Sequence, residues 1–331
     1  MGRRWKTIPG LFTAAIVLTV AIPIWVPVAL VLDIVRGRFR FPIARLLWFG
    51  VMWAWLETAG VITSGVFWIT GQRGNHRFHY ALQRWWAARL MTALKWSTGL
   101  TLQVEGLDAL RPGPVMVFAR HASLADSLVS AYVTSSLARL NPRYVLKKEL
   151  LADPCLDVVG QRLPNHFLDR EAADTAPELK ALEDLVAPLD EHGVGVIFPE
   201  GTRANPKKRE RSLERIARSF PDRAERLSSL KHLLPPRTAG AAAMLRGHPT
   251  ADVVMAWHVG FEGLDTFGGI LRELGRPLTP IRLSLRRVPR AEIPASSPDD
   301  MESFVQWIDR EWLRMDEEVD RALNQGTGGS K

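Results

Sequence analysis

Cysteine is almost absent from this 331-residue sequence, where Cys155 stands alone. One thiol excludes an internal disulfide and a cysteine-rich metal site, which rules out a stapled secreted scaffold and fits a reducing compartment. Metal-ligand spacing is lacking too. His166, His192, His232, His248 and His258 are scattered, so structural or surface roles are expected for them, with no metal and no cofactor. The chain has no internal repeat and no low-complexity linker. Charge is missing altogether from Thr7 to Leu32, a run longer than the roughly 20 apolar residues that cross a bilayer core. Against these absences, 47% hydrophobic and 24% charged residues give enough material for a sizeable core and exclude a disordered tail.

Arg3, Arg4 and Lys6 precede the uncharged run, and Pro23 and Pro27 lie within it. A signal peptide has a shorter apolar core of about 7–15 residues, so a retained anchor is expected. A second apolar stretch, Leu46 to Thr70, is interrupted only by Glu57 and carries Trp48, Trp53, Trp55 and Trp68, rings suited to a water–lipid boundary. Arg36, Arg38, Arg40 and Arg45 crowd the connector, while Arg73, Arg77, Arg84 and Arg89 follow the second stretch. Every flank therefore reads as cytoplasmic. A hairpin that dips into one leaflet, bent at its prolines, satisfies this pattern; a spanning pair and two buried helices of a soluble domain are the alternatives. The expected organisation is a membrane-anchoring hairpin over residues 1–72, an α/β domain over 73–298, and a C-terminal amphipathic helix and tail over 299–331.

Short β-rich runs recur between helical stretches at Leu102–Val104, Val115–Ala119, Tyr144–Leu146, Val194–Phe198, Val253–His258 and Ile281–Leu285. The alternation predicts an α/β sheet with helices packed on it. Phe304, Ile308, Trp312, Met315, Val319 and Leu323 recur at helical spacing and predict an amphipathic helix over Asp299–Asn324.

Two segments carry chemistry. Arg120-His121-Ala122-Ser123-Leu124-Ala125-Asp126-Ser127 follows one strand. On a continuous helix His121 and Asp126 would point about 140° apart. If His121 occupies the turn and Ser123 caps the next helix, Asp126 reaches back to the imidazole and fixes a general base; the plainer alternative is a capping box of Ser123 and Asp126 alone. Phe198-Pro199-Glu200-Gly201-Thr202-Arg203 follows another strand. Gly201 permits a tight turn, Glu200 can hold a side chain, and Arg203 offers a fork for phosphate oxygens.

Together, about eighty residues apart, these motifs resemble the PlsC-type glycerolipid acyltransferases, which include 1-acylglycerol-3-phosphate acyltransferases. Phe167-Leu168-Asp169-Arg170 looks like that family's intermediate motif and Lys147-Lys148-Glu149-Leu150 like the segment before it. The resemblance spans roughly residues 97–290. It implies the glycerol-3-phosphate acyltransferase-like fold, a mixed sheet flanked by helices behind a membrane-embedded hairpin. It also implies His121 and Asp126 as catalytic residues, with Arg170, Glu200, Gly201, Thr202 and Arg203 at the acceptor, where Glu200 would fix Arg203. The acyl donor would be acyl-coenzyme A or acyl-carrier protein, the acceptor a lysophospholipid, and the place the cytoplasmic face of a bacterial inner membrane. Backbone N–H groups near Ser123 would meet the oxyanion.

Departures from the family pattern concern the acceptor. Lys207-Lys208-Arg209-Glu210-Arg211 and a basic helix precede His232-Leu233-Leu234-Pro235-Pro236-Arg237-Thr238, a layout similar to the subgroup that includes lysocardiolipin acyltransferase. Arg120 stands where the family often has Asn, as a further phosphate contact or an outward-pointing residue. The net charge of +8 resides in residues 201–248, which hold twelve basic and four acidic residues. This stretch reads as a solvated face or as a contact for anionic lipid or coenzyme A phosphates. Phe220 alone interrupts it, so no stacking platform for nucleic acid is present. The rival activities are a thioesterase using the same histidine and a non-catalytic lipid-binding protein.

Overall fold

The computed structural model describes residues 2–169, 175–264, 266–297 and 300–327. Seven strands, β1 (Leu102–Glu105), β2 (Val115–Ala119), β3 (Asn141–Lys147), β4 (His166–Leu168), β5 (Gly193–Ile197), β6 (Asp252–Val259) and β7 (Ile281–Val288), form one mixed sheet in the order β1-β7-β6-β2-β5-β3-β4. Only β6 and β7 pair antiparallel. The six strands expected from sequence are present; β4, three residues long, was not foreseen. β2 and β5 are buried at all five positions, as strands covered on both faces must be. Gly195 has no room to be larger, because a Cβ there would lie 2.7 Å from both Met116 Sδ and Met244 Cε.

Helices α4 (His76–Thr98) and α5 (Asp126–Ala131) cover one face of the sheet, with Ala87, Met91 and Val129 against Val115, Val117 and Val194. The other face carries α7 (Ala176–Val186), α10 (Thr238–Gly247) and α12 (Met301–Thr327). The short helix α6 (Pro154–Val158) packs instead against the N-terminal layer. Phe304, Ile308, Trp312, Met315 and Val319 of α12 are at most 1% exposed, so the predicted apolar stripe is the face that closes the core. The insertion, α8 (Pro206–Ala217) and α9 (Pro221–Arg226), is docked on α12. Asp309 takes Arg223 and Arg226 at 2.9 and 3.0 Å, and Asp316 accepts the N–H groups of Lys231, His232 and Leu233. Helix α11 (Phe267–Leu274) connects β6 to β7 in sequence.

The uncharged N-terminal run is two helices, α1 (Arg4–Val20) and α2 (Ile22–Val35), bent by 70°. The break falls at Ala21, and Pro23 sits at the start of α2, where its missing N–H costs no hydrogen bond; Pro27 stays inside the helix. α3 (Pro42–Ile69) is long and apolar enough to cross a membrane. It nevertheless runs beside α4, and its ends stay with the α/β domain. Arg45 donates to the carbonyls of Ser97, Thr98 and Leu274, while Arg3 and Arg4 bind Asp157 of α6 at 2.8 and 3.0 Å. These flanking arginines are tied to the protein, and so is Arg84, bonded to Asn141. Away from the domain the layer presents Ile16, Val20, Ile24, Val28, Val31, Trp55 and Trp68, all exposed.

Candidate active site

Parallel register decides what meets at the carboxyl ends of the strands. Phe118 of β2 pairs with Ile197 of β5, so His121 and Glu200, each three residues further on, leave the sheet at one level. Ala119 pairs with Ala256 of β6, which places His258 at the level of His121. Lys147 pairs with Leu168, bringing the third and fourth motif segments to the same edge. Ligand crevices of open α/β sheets form at this edge.

His121 Nδ1 lies 2.8 Å from Asp126 Oδ2. The same oxygen accepts the backbone N–H of Ala122 at 2.6 Å and of Ser123 at 2.9 Å, and Oδ1 accepts Ser123 Oγ at 2.5 Å. The two sequence alternatives therefore coexist, since Asp126 both closes the turn back to Ser123 and orients the imidazole. Asp126 opens α5, with Ala125 as the cap rather than Ser123. The N–H groups of Ala122 and Ser123 are spent on the carboxylate, which removes them as oxyanion donors. Burial would raise the Asp126 pKa, but hydrogen bonds from His121, His258 and Ser123 and the charge of His258 outweigh it and hold the carboxyl well below the usual range.

His258, expected to be a structural or surface histidine, is 4% exposed with Nε2 3.1 Å from Asp126 Oδ1. Its ring packs edge-on against Phe261 with centroids 5.0 Å apart. Asp126 thus sits between two imidazoles. The available signal was position: His258 ends a predicted strand of the same sheet. Arg120 neither meets phosphate nor points outward, because it is 5% exposed, donates to the His258 carbonyl and lies 3.7 Å from Glu262.

Glu200 is 2% exposed, and its oxygens accept the backbone N–H of His121 at 2.7 Å and of Leu234 at 2.8 Å. Both oxygens of this buried carboxyl thus hold backbone rather than Arg203. Burial pushes its pKa up to about 8 against the pull of those N–H donors and of Arg120. Gly201 has φ +70°, a conformation that disfavours any Cβ. Lys208 Nζ bonds Thr202 Oγ1 at 3.1 Å and the Arg203 carbonyl at 3.0 Å, fastening the start of α8 to the turn. Arg170 lies outside the described residues.

His121, Arg203, Gly201 and Lys147 line a cavity of about 490 Å³. Nδ1 being engaged, Nε2 is the imidazole nitrogen left for a reacting group. A second, strongly apolar cavity of about 510 Å³ lies between α3, α4 and the sheet, lined by Trp53, Leu82, Trp86, Leu90 and Phe261. Both cavities share Leu124, Ser127, Leu146 and Leu150 as lining. Among the described residues no cluster of His, Cys, Asp and Glu is arranged to hold a metal ion.

Residues 101–257 match the family model described as Acyltransferase. No curated protein matches the chain. Among solved structures, the 1-acyl-sn-glycerophosphate acyltransferase PlsC from Thermotoga maritima is similar at 17% identity and a TM-score of 0.43, over 81% of this chain and 95% of that one. The family match contains His121, Asp126, Glu200 and Arg203, so residues 101–257 carry the acyltransferase-family signature.

Proposed function

We propose that the protein transfers a fatty acyl group from an acyl thioester to the free hydroxyl of a lysophospholipid at a membrane surface, with 1-acylglycerol-3-phosphate as the acceptor. The observation that carries this reading is the His121–Asp126 pair set between a cavity bearing Arg203 and an apolar cavity sharing its wall. Nε2 takes the proton of the acceptor hydroxyl as its oxygen attacks the thioester carbonyl. Asp126 stabilises the imidazolium through Nδ1–H. When the tetrahedral centre collapses, the C–S bond breaks and the proton passes from Nε2 to the departing thiolate, leaving the ester. Arg203 offers the acceptor phosphate a planar, two-pronged contact, and the apolar cavity suits an acyl chain.

The exposed apolar face of α1–α3, bordered by exposed Arg36, Arg40, Arg73 and Arg77, supports a layer immersed in one leaflet with anionic headgroups around it. Anchoring of the hairpin's start through Arg3 and of its turn through Arg45 to the α/β domain favours that geometry over a spanning pair, whose turn would stand about 30 Å away. Incubating the full chain in lipid nanodiscs with labelled acyl-coenzyme A and a panel of lysophospholipids tests the reading. Labelled phosphatidic acid supports it; release of free fatty acid with no lysolipid consumed assigns a thioesterase instead.

A further inference from the structure

Arg237 is absent from the motifs that define the site, yet it lines the His121 cavity beside Arg203. Its backbone N–H is fixed to the Pro199 carbonyl at 2.9 Å, and its guanidinium lies directly over Gly201, where a Cβ would come within 3.1 Å of Nε and 3.2 Å of Cζ. The left-handed glycine is therefore what makes room for this side chain. No carboxylate among the described residues pairs with it. Arg223, Arg226 and Lys231 of the insertion are spent on Asp309 and Asp320 of α12, but Lys207, Arg211, Arg215 and Arg218 are exposed and recur every three or four residues along one face of α8. Arg215 is the member of that stripe near enough for its charge to act on Arg237, whose pKa is lowered first by desolvation and then by that charge. Two neighbouring guanidinium groups without an acidic partner are mutually repulsive, and an anion held between them relieves that repulsion.

We propose that Arg237 and Arg215 form a second phosphate subsite at the mouth of the His121 cavity, next to and separate from Arg203. Its ligand is a phosphate group carried by one of the two substrates, either the phosphates of a coenzyme A donor or a second phosphate in the acceptor headgroup. The identity of those substrates rests on the acyl-transfer reading; the subsite itself rests on the two arginines.

The test uses the full chain in nanodiscs, with Arg237→Gln and Arg215→Gln as variants and Arg218→Gln, exposed at the end of α8, as the control. Initial rates are measured with acyl-coenzyme A varied at saturating lysolipid and the reverse, for lysolipids with one and two phosphates. The expected result is a rise in one KM by about ten- to a hundredfold in Arg237→Gln, with kcat little changed and a smaller rise in Arg215→Gln. A rise confined to acyl-coenzyme A assigns the donor; a rise confined to the two-phosphate lysolipid assigns the headgroup. Calorimetric titration with adenosine 3′,5′-bisphosphate and with inorganic pyrophosphate reads the subsite independently of turnover. Absence of transfer in the wild type rejects the acyl-transfer reading and leaves the subsite to calorimetry, where weaker binding to Arg237→Gln supports it. Unchanged KM values and equal binding in Arg237→Gln overturn the proposal.

Discussion

Glu200 Oε1 accepts the backbone N–H of His121 at 2.7 Å, while Oε2 accepts that of Leu234 at 2.8 Å. One buried carboxyl thus ties the His121 turn to the segment that carries Arg237. In Glu200→Gln one oxygen becomes an NH₂ facing an N–H, leaving a buried donor unpaired at about 1–3 kcal/mol. We expect a lower melting temperature and a lower kcat. The raised pKa also sets a sign. Glu200 contributes stability that is full below its ordinary value of 4.5 and is lost as pH rises through about 8. Urea unfolding from pH 5 to 9 should show this decline in the wild type and its absence in Glu200→Gln.

Asp126→Asn should fold, because its amide can donate to Ser123 Oγ while the carbonyl accepts the donors now on Oδ2. Loss of the charge that stabilises the imidazolium should lower kcat by about a hundredfold, less than removing the base. The folded pKa is depressed, so the stability from Asp126 is present above the ordinary 3.8 and lost as pH falls below it. Acid titration followed by circular dichroism should find the wild type losing this margin below pH about 4 and Asp126→Asn lacking it throughout.

Arg203→Ala should raise the KM for the phosphate-bearing acceptor by about ten- to a hundredfold, and Arg203→Lys should recover only part, since an ammonium cannot replace a fork. Equal acceptor kinetics for all three proteins would move the acceptor phosphate elsewhere.

Much of this was legible in the sequence, and register explains where legibility ended. The five-residue apolar runs of β2 and β5 announce buried central strands, and the motifs after them announce chemistry. Whether Glu200 faces Arg203 or the His121 backbone depends on which residues pair across β2 and β5, and no local pattern encodes that pairing. His258 was passed over for the same reason, its partner Asp126 being 132 residues away in the chain and brought close only by β6. The three residues of β4 are too few for a periodic signal. Arg3, Arg4 and Arg45 read only as cytoplasmic flanks of apolar helices; their acceptors, Asp157 and the end of α4, are supplied by tertiary structure.

If the start and the turn of the hairpin rest on the α/β domain, cysteines at Arg36→Cys and Arg73→Cys in a Cys155→Ser background should share one exposure. Membrane-impermeant maleimide applied to intact cells should label neither, and inverted vesicles should label both. Labelling of position 36 alone from outside would establish a spanning pair. Asp157→Asn, which weakens the grip on Arg3 and Arg4, should make residues 1–20 more susceptible to protease.

Transfer itself is tested most directly by single-turnover kinetics of His121→Ala against wild type in nanodiscs, with labelled acyl-coenzyme A and lysophosphatidic acid and with folding verified by the melting curve. Loss of the general base should slow formation of labelled phosphatidic acid by about 10²–10⁴ while substrate binding is retained. Transfer at the wild-type rate by well-folded His121→Ala would contradict the account.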